Sequence, residues 1–371
     1  MKTEAAVLWE LHGDWKVQEV DLGDPVEGEV LVRLSASGIC HTDDHIVTGD
    51  LSQPLPAIGG HEGAGIVEAV GPNVPGLEPG DHVVLVYIPS CGVCESCSKG
   101  RANLCDRGGN RREGKALADG TCRFTFDGTG ITTICLLGTF ARHTVVHHSQ
   151  VLKIENDIPL VPAALVGCGV TAGFGSAVNT ADIHAGDIVA VIGIGGLGAA
   201  AIQGARIAGA RYIVAVDPAP QKHDLAPIFG ATHVVSTFGE AQELIRDISW
   251  GRMANAALLT TDLARGDLLG PTMSLLGKHG KAVIVAVAPA TQTQADVSLA
   301  DITFYEKQIR GALYGSMSPR AGITRVLDLY RTGDLKLEEM MTTQYPLADI
   351  NQAFSDMKSG RNIRGVIVYD Q

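Results

Sequence analysis

Residues 188–198 have the sequence IVAVIGIGGLG, which decides the fold of the second half of the chain. The β-branched run at 188–192 predicts a buried strand, and the glycines that follow it predict a tight turn. The apolar run at 197–208 then has the length of a helix, and residues 212–216 read YIVAV, a second buried strand. Strand, glycine-rich turn, helix and strand in this order predict a βαβ unit with parallel strands.

The glycine turn has the spacing of a phosphate-binding loop. Its glycines would let the backbone approach a pyrophosphate at the helix N-terminus, and they are Gly193, Gly195, Gly196 and Gly198. Asp217 ends the second strand, 19 residues beyond Gly198, where an acid can bind the adenosine ribose hydroxyls. Because an acid repels a 2′-phosphate and no arginine immediately follows it, the pattern predicts NAD over NADP.

The rest of the chain divides into two patterns. Downstream, apolar runs at 256–259 and 282–287 extend the parallel sheet, residues 320–330 and 347–358 predict helices, and 365–369 predict a closing strand. Upstream, short β-prone runs separated by turns predict a barrel or sandwich, and they lie at 5–9, 29–34, 65–70 and 81–86. The polar, glycine-rich residues 108–138 are interpreted as one long loop.

Composition limits the remaining function classes. A chain of 371 residues is long for one core and predicts two domains. Its net charge of −12 argues against a nucleic-acid partner. The longest apolar stretch, 188–202, is shorter than a membrane span and is broken by glycines, and Met1–Glu4 lacks a cationic leader. We therefore expect no membrane partner and a cytoplasmic location, where cysteines serve metals or catalysis more often than disulfides.

Four cysteines crowd into fifteen residues, namely Cys91, Cys94, Cys97 and Cys105. Four thiolates on one loop meet the needs of a closed tetrahedral zinc site, which would stabilise the fold. An iron-sulfur site and unliganded reduced cysteines are the alternatives. No proline follows the fourth cysteine and the spacing is not that of a ferredoxin, so zinc is favoured.

A second set of metal-binding residue types is dispersed over Cys40, His61 and Cys168. Two thiolates and one imidazole would leave a zinc ion one open position, as catalytic zinc requires. Spacing alone cannot join them, and an isolated cysteine such as Cys168 is more often a small apolar core residue. Asp43 and Asp44 form either a solvated turn or a site where an acid, Asp43, holds the non-ligating nitrogen of His61.

Three motifs in this order resemble the zinc-dependent alcohol dehydrogenases of the medium-chain dehydrogenase/reductase superfamily: GHEGAG at 60–65, the cysteine cluster and the glycine turn. The loop at 108–138 is similar to that of the liver-type and glutathione-dependent formaldehyde dehydrogenase branch. Segments 47–50, 176–182 and 362–366 most resemble the actinobacterial nicotinoprotein alcohol dehydrogenases, which are assayed with a nitrosoaniline dye as electron acceptor.

The resemblance implies an α/β chain of two domains. A GroES-like, β-rich catalytic domain, residues 1–170 and 313–371, would carry both zinc sites. A Rossmann domain with a doubly wound parallel sheet, residues 171–312, would bind NAD(H). Two zinc ions per chain and a homo-oligomer are expected.

The resemblance also implies roles for single residues. Cys40, His61 and Cys168 become the catalytic zinc ligands, with Glu62 behind the metal as an occasional or outer ligand. Thr42 would touch the substrate oxygen and His45 would release its proton. Cofactor contacts fall on His41 and Arg364 at the pyrophosphate, and on Asp217 and Lys222 at the ribose. Ala172 and Ala286 depart from the residues usual beside the nicotinamide, which puts hydride geometry and cofactor release in doubt.

The function implied is interconversion of primary alcohols and aldehydes by hydride transfer to NAD, with an external electron acceptor if the cofactor stays bound. Glutathione-dependent formaldehyde oxidation is one alternative, for which Arg111 or Arg112 would bind the glutathione carboxylate. Aldehyde dismutation is a second, and a zinc-stabilised binding module is the alternative outside enzymes. The sequence does not identify the alcohol.

Overall fold

The computed structural model describes residues 1–370, except for the side chains of Asn110 and Arg111. Its chain forms two compact units. The first unit contains Met1–Cys168, Ser318–Thr332 and Met341–Gln371, and the second contains Gly169–Met317 and Gly333–Met340. The predicted domain boundaries differ from these units at 169–170, 313–317 and 333–340, which belong to the second unit.

A closed barrel and a larger sheet make up the strands of the first unit. The barrel strands, in the order β1-β2-β7-β8-β4, are β1 (Lys2–Leu8), β2 (Lys16–Leu22), β7 (Phe124–Phe126), β8 (Thr129–Thr133) and β4 (Ala57–Ile58). Their inward side chains include Val7, Leu22, Phe124 and Ile131, all buried. Along β2, buried and exposed residues alternate because one face meets this core and the other meets solvent, whereas the second half of β1 is buried on both faces.

The larger sheet has seven strands and is built around β3 (Glu29–Gly38). In order they are β10 (Val151–Lys153), β6 (His82–Leu85), β5 (Gly63–Val70), β3, β18 (Arg364–Val368) and β17 (Met341–Tyr345), with β9 (His143–His147) also paired to β3. The β17–β18 pair is parallel, and β18 runs antiparallel to β3. The C-terminal strand thereby lies beside the strand that leads to Cys40.

Five α-helices of the first unit surround these sheets. They are α1 (His41–Val47), α2 (Glu95–Ser98), α3 (Leu160–Ala163), α10 (Pro319–Arg331) and α11 (Ile350–Lys358). Proline in the first turn of α10 suits a helix start, because that position needs no backbone donor. Phe354 and Met357 of α11 pack on the core that the sheet shares with Trp15 and Phe140.

The second unit is one six-stranded parallel sheet with helices. The sheet order is β13 (His233–Val235), β12 (Tyr212–Val216), β11 (Ile188–Ile192), β14 (Ala254–Leu259), β15 (Leu276–Ile284) and β16 (Gln308–Gly311). Its helices are α4 (Gly169–Gly175), α5 (Gly196–Ile207), α6 (Ala226–Phe229), α7 (Phe238–Ile248), α8 (Gly266–Ser274) and α9 (Leu299–Tyr305). The order reverses direction between β11 and β14, which is the ligand-binding switch point of doubly wound sheets. The predicted fold class is confirmed.

The prediction of one long loop at 108–138 is wrong. This region contains a 3-10 segment at Asp106–Arg112 and the hairpin β7–β8, which completes the barrel. Asp127 and Gly128 form its turn, with φ of 47° and 78°. An Asp-Gly pair with both φ positive is the preferred two-residue hairpin turn, so a strand signal was present in a segment that its glycines made look irregular.

Within residues 1–370, no single helix is long and apolar enough to span a bilayer. Two consecutive helical segments, Leu160–Gly167 and Gly169–Thr180, reach the length and hydropathy of a span only when taken together.

Candidate active site

The dispersed metal-binding residues come from three places in the first unit. Cys40 is the N-cap residue of α1, directly after β3 and one residue beyond Ile39. His61 and Glu62 immediately precede β5, which pairs with β3. Cys168 lies between a 3-10 turn and α4. The sheet pairing therefore brings segments together that are 21 and more than 100 residues apart in the sequence.

The ligand atoms of Cys40, His61, Glu62 and Cys168 all lie within 4.8 Å of one another. His61 Nε2 is buried and has no hydrogen-bond partner among the described residues, although an imidazole in a core normally finds one. Two sulfurs and this orphaned nitrogen form a donor set that suits Zn²⁺. The site fits a zinc ion, which would supply a Lewis acid at this position.

A carboxylate orients the His61 ring. His61 Nδ1 lies 3.1 Å from Asp43 Oδ2, and Asp43 Oδ1 accepts a hydrogen bond of 2.8 Å from the Gly60 backbone. Gly60 has φ of 86°, a left-handed conformation in which a Cβ would also collide with Thr139. Asp43 is fully buried and is not part of a solvated turn. Its placement is that expected of an acid that fixes a histidine ligand.

The electrostatics of the site favour a cation. A hydrogen bond from the Cys168 thiol holds the pKa of Cys40 well below its usual value, against the opposing effect of burial. The same hydrogen bond and burial raise the pKa of Cys168. Burial lowers the pKa of His61, but the charges of Asp43 and Cys40 outweigh it and raise the pKa overall. Without a metal, the pocket thus holds protons where a dication would neutralise the same negative charges.

Sequence reasoning missed the partner of Glu62. Arg364, on β18, donates a hydrogen bond to Glu62 Oε2 and another to the Ile39 carbonyl, and both side chains are buried. A glutamate between His61 and Gly63 requires a cationic partner when it is buried, which was the available signal. The assignment of Arg364 to a cofactor pyrophosphate stays a prediction, since its guanidinium is already bound to Glu62.

Thr42 and His45 both lie on α1 and share one face at a spacing of three residues. Thr42 Oγ1 is 3.6 Å from Cys40 Sγ, which places a hydroxyl beside the metal-binding group. His45 is buried, and its Nδ1 lies 3.7 Å from Oδ2 of the partly exposed Asp50. The His41 ring lies 6.2 Å from that of His45, between centroids. Along α1, a hydroxyl beside Cys40 is therefore followed one turn later by an imidazole beside Asp50.

The four clustered cysteines form a second metal-binding group. Their sulfurs lie within 4.8 Å of one another, with 3.9 Å between Cys91 and Cys97 and 4.0 Å between Cys94 and Cys105. A tetrahedron with Zn–S bonds of ~2.3 Å requires sulfurs about 3.8 Å apart. The cluster therefore fits a closed zinc site in which no position remains for substrate.

Backbone N–H groups prepare this cluster for metal. The amides of Val93 and Cys94 lower the pKa of Cys91 to about 6, so this thiol ionises readily. Burial raises the pKa of Cys97 to about 12 in the metal-free chain. Zinc binding must therefore displace protons from some of these thiols, which makes the affinity pH-dependent.

The glycine turn lies in the second unit at the carboxyl end of β11, where α5 begins. A Cβ at Gly198 would collide with the Gly193 carbonyl oxygen, so the helix can approach the strand only with glycine there. A Cβ at Gly195 would meet nothing within 4 Å, which leaves open space beside the N-terminus of α5. This open cradle fits a dinucleotide pyrophosphate.

Asp217 closes the same turn at the end of β12. Its Oδ2 accepts a 2.7 Å hydrogen bond from the Ile194 amide, and its Oδ1 accepts one of 2.9 Å from Ala219. Lys222 Nζ lies 3.5 Å from Oδ2, so the two residues expected at the ribose are together. His223 Nε2, which the sequence did not single out, lies 2.7 Å from the Asp217 carbonyl oxygen.

Comparison with known proteins agrees with this fold and with its metal-binding groups and glycine turn. The sequence model of the alcohol dehydrogenase GroES-like domain matches residues 26–156, and that of the zinc-binding dehydrogenases matches 196–331. Together, the fold and these matches define a zinc-binding, nucleotide-dependent dehydrogenase. The chain belongs to the zinc-dependent alcohol dehydrogenases, as its full-length relatives show.

Three relatives illustrate the likeness. Alcohol dehydrogenase B of Mycobacterium tuberculosis is 45% identical over 370 residues, covering 100% of this chain and 99% of that protein. An NDMA-dependent alcohol dehydrogenase of Amycolatopsis methanolica is 41% identical over 369 residues, covering 100% and 99%. Benzyl alcohol dehydrogenase of Acinetobacter calcoaceticus shares the fold with a TM-score of 0.92, at 30% identity and full coverage of both chains.

These findings decide between an enzyme and a zinc-stabilised binding module. The chain is an enzyme of the alcohol dehydrogenase class, not a zinc-stabilised binding module. Small alcohols or aldehydes are its substrate class. Of the two arginines considered for glutathione, Arg112 is exposed, and the side chain of Arg111 lies outside the described residues.

Proposed function

We propose that this chain oxidises primary alcohols to aldehydes at the Cys40–His61–Cys168 group, with an NAD that remains bound through turnover. The observation that carries the reaction site is the orphaned His61 Nε2, buried among two thiols and oriented by Asp43. The Thr42 hydroxyl, 3.6 Å from Cys40 Sγ, is placed to receive the proton that an alcohol loses at this group.

The residues of α1 perform the proton chemistry in this proposal. Thr42 Oγ1 accepts the hydroxyl proton of the substrate as it releases its own proton, which a nitrogen of the His45 imidazole then accepts. Asp50 Oδ2, next to His45 Nδ1 and partly exposed, is the exit to solvent. His41, at the start of the same helix, is proposed to contact the cofactor.

Asp217 and Lys222 are proposed to select NAD. The carboxylate has both oxygens engaged by backbone amides, so its position is fixed before a ribose arrives. A fixed negative charge excludes a 2′-phosphate and accepts ribose hydroxyls. We further propose that the enzyme is a cytoplasmic homo-oligomer.

Retention of the cofactor is proposed from the likeness in segments 47–50, 176–182 and 362–366 and from the name of the Amycolatopsis relative. A retained dinucleotide must be reoxidised in place, so an external acceptor such as a nitrosoaniline dye would sustain turnover and free NAD would not.

The test is gel filtration of purified enzyme, followed by quantification of dinucleotide released on denaturation. Activity is then assayed with alcohol alone, alcohol plus NAD, and alcohol plus dye. We expect about one dinucleotide per chain and turnover only with dye. Cofactor-free protein that turns over rapidly with NAD would contradict retention but leave the alcohol dehydrogenase assignment intact. Conversion of aldehyde alone to alcohol and acid would instead indicate dismutation.

A further inference from the structure

A cavity of about 810 Å³ lies in the second unit at the amino ends of the parallel strands. Its lining includes the first residues of β11, β14 and β15, which are Ile188, Ala254 and Leu276. We call it the basal cavity. The glycine turn lies at the carboxyl end of β11, so the basal cavity is at the opposite edge of the sheet.

The basal cavity is cationic. Among its described lining residues none is Asp or Glu, whereas four are cations: Arg211, Arg252, Lys278 and Lys307. Lys307 Nζ is paired with Asp301 at 3.0 Å. The other three have no ion pair with any described carboxylate. Three cations without an ion pair thus line one cavity, although the chain has a net charge of −12.

Helix ends at this edge offset part of that charge. Arg252 Nε donates to the Ser249 carbonyl at the end of α7, at 3.1 Å, and Lys307 Nζ donates to the Met273 carbonyl of α8, at 3.0 Å. Each helix C-terminus carries about half a negative charge. Three cations against two such ends leave an excess of about two positive charges, which an anionic ligand would neutralise.

Trp250 projects an aromatic ring at the cavity. The residue is 83% exposed and has φ of 53°, a left-handed conformation that a bulky side chain rarely adopts. The turn is rigid, because the buried Ser249 hydroxyl accepts from the Met253 amide at 2.9 Å and donates to the Arg246 carbonyl. The Arg252 guanidinium lies 5.5 Å from the indole centroid. The structure thus holds an exposed indole beside cations in a strained backbone conformation.

We propose that the basal cavity binds a nucleoside phosphate at a site separate from the hydride-transfer reaction. The phosphates would lie among Arg211, Arg252 and Lys278, and the base would stack on Trp250. The volume falls in the range of ~300–1,000 Å³ usual for small-molecule sites. Four cations and no carboxylate among the described lining residues favour an anionic ligand.

The experiment is a fluorescence titration of the purified enzyme, in which Trp250 is far more exposed than the buried Trp15 and the partly buried Trp9. ADP, inorganic pyrophosphate and adenosine are the probes. We expect ADP to quench the emission, and pyrophosphate or adenosine alone to bind at least tenfold more weakly.

Paired variants locate the site. Arg252→Gln/Lys278→Gln should weaken ADP binding at least tenfold, whereas Lys2→Gln/Lys16→Gln, exposed on the barrel, should leave it unchanged. Lys278→Glu alone keeps the test valid if loss of the Arg252 contact with α7 destabilises the fold. Asp217→Ala should leave the quenching curve unchanged, because the cofactor turn is not the site observed.

Four results would overturn the proposal. The first is no quenching at millimolar ADP, and the second is pyrophosphate binding as tight as ADP binding. The third is an ADP affinity that falls with Asp217→Ala and not with the Arg252/Lys278 variants. The fourth is protection of Trp250 from acrylamide quenching by self-association at the concentrations used. The last would identify this face as a contact between copies of the chain.

Discussion

Asp43 is the residue on which the geometry of the candidate metal group depends most. It joins His61 Nδ1 to the Gly60 backbone and is fully buried. Carboxylates in this position fix the tautomer and direction of a histidine ligand, and their removal typically lowers metal affinity ~10- to 100-fold. Asp44, the next residue, contacts Lys358 at 3.4 Å instead.

We therefore expect Asp43→Asn to lower zinc affinity at the Cys40 group by about 10- to 100-fold and to reduce turnover. Asp44→Asn is the matched control and should leave both nearly unchanged. The measurement is zinc retained per chain against increasing chelator. Equal zinc loss from the two variants would show that the effect is one of charge or folding and not of His61 orientation.

Asp217 decides cofactor choice at the same scale. Asp217→Ala removes the charge that repels a 2′-phosphate and the acceptor for ribose hydroxyls, so NAD binding should weaken and NADP should be relatively favoured. Asp224→Ala, an exposed acid seven residues further on, is the control. Dissociation constants for both dinucleotides check this, and an unchanged ratio of NAD to NADP affinity in Asp217→Ala would refute the role.

Sites were predictable from the sequence where their residues lie close together in a local pattern. The cluster from Cys91 to Cys105 and the glycine turn are such patterns, because short spacing alone brings their atoms together. The Glu62–Arg364 pair is not, since its members are 302 residues apart and meet only through the pairing of β18 with β3. Such a contact depends on strand order, which spacing does not encode.

At the scale of elements, we expect metal to stabilise the loop that carries the four clustered cysteines. Its one α-helix, α2, has four residues and buries none of them, so apolar packing contributes little there. Cys97→Ser removes one thiolate from a closed site, and binding free energy at such sites is folding free energy.

We expect Cys97→Ser to lose one zinc per chain and to melt about 5 °C or more below wild type. Cys122→Ser replaces a free, partly buried cysteine outside both clusters and is the control. Calorimetry together with zinc analysis tests this. A Cys97→Ser protein that melts like wild type with only one zinc would show that the cluster is not structural.

Strand β9 ends at a histidine that titrates abnormally. Burial, with the charges of His148 and Arg107, lowers the pKa of His147 to about 4. The neutral ring accepts a hydrogen bond from the Ser149 amide at 3.2 Å. As pH falls from ~6.5, the unfolded chain binds a proton at this residue that the folded chain does not bind, until the pH reaches the folded pKa.

Stability should therefore fall between pH 6.5 and 5, with His147 contributing at most about 1.4 kcal/mol per pH unit. His147→Gln should flatten this fall, and His12→Gln, at an exposed position, should not. Denaturant unfolding at constant zinc content is the measurement. A pH profile of His147→Gln that is parallel to wild type would show that this imidazole is not linked to folding.

The helices and strands were predicted best where the run of apolar residues is long. The parallel strands and α5 follow from their apolar runs, whereas the β7–β8 hairpin was missed because its strands have only three and five residues. Strands this short are stabilised by closure of the barrel around Phe124 and Ile131, which local propensity does not reveal.

At the scale of the whole molecule, the proposed reaction site depends on one consequence of folding. Cys40, His61 and Cys168 are spread over 129 positions, and the first unit places their ligand atoms within 4.8 Å. Sequence alone could name them only through the resemblance, because a lone cysteine is usually a core residue. The family assignment and the geometry now support the same three residues.

The most direct test is the zinc content and alcohol oxidation of Cys40→Ser, measured beside Cys135→Ser, whose cysteine belongs to neither metal-binding group. We expect two zinc ions per chain in wild type and Cys135→Ser. We expect one in Cys40→Ser, which should stay folded and bind dinucleotide but lose alcohol oxidation with dye or NAD, because the remaining zinc is the structural one. A Cys40→Ser enzyme that oxidises alcohols at the wild-type rate would contradict the assignment of the reaction to this group.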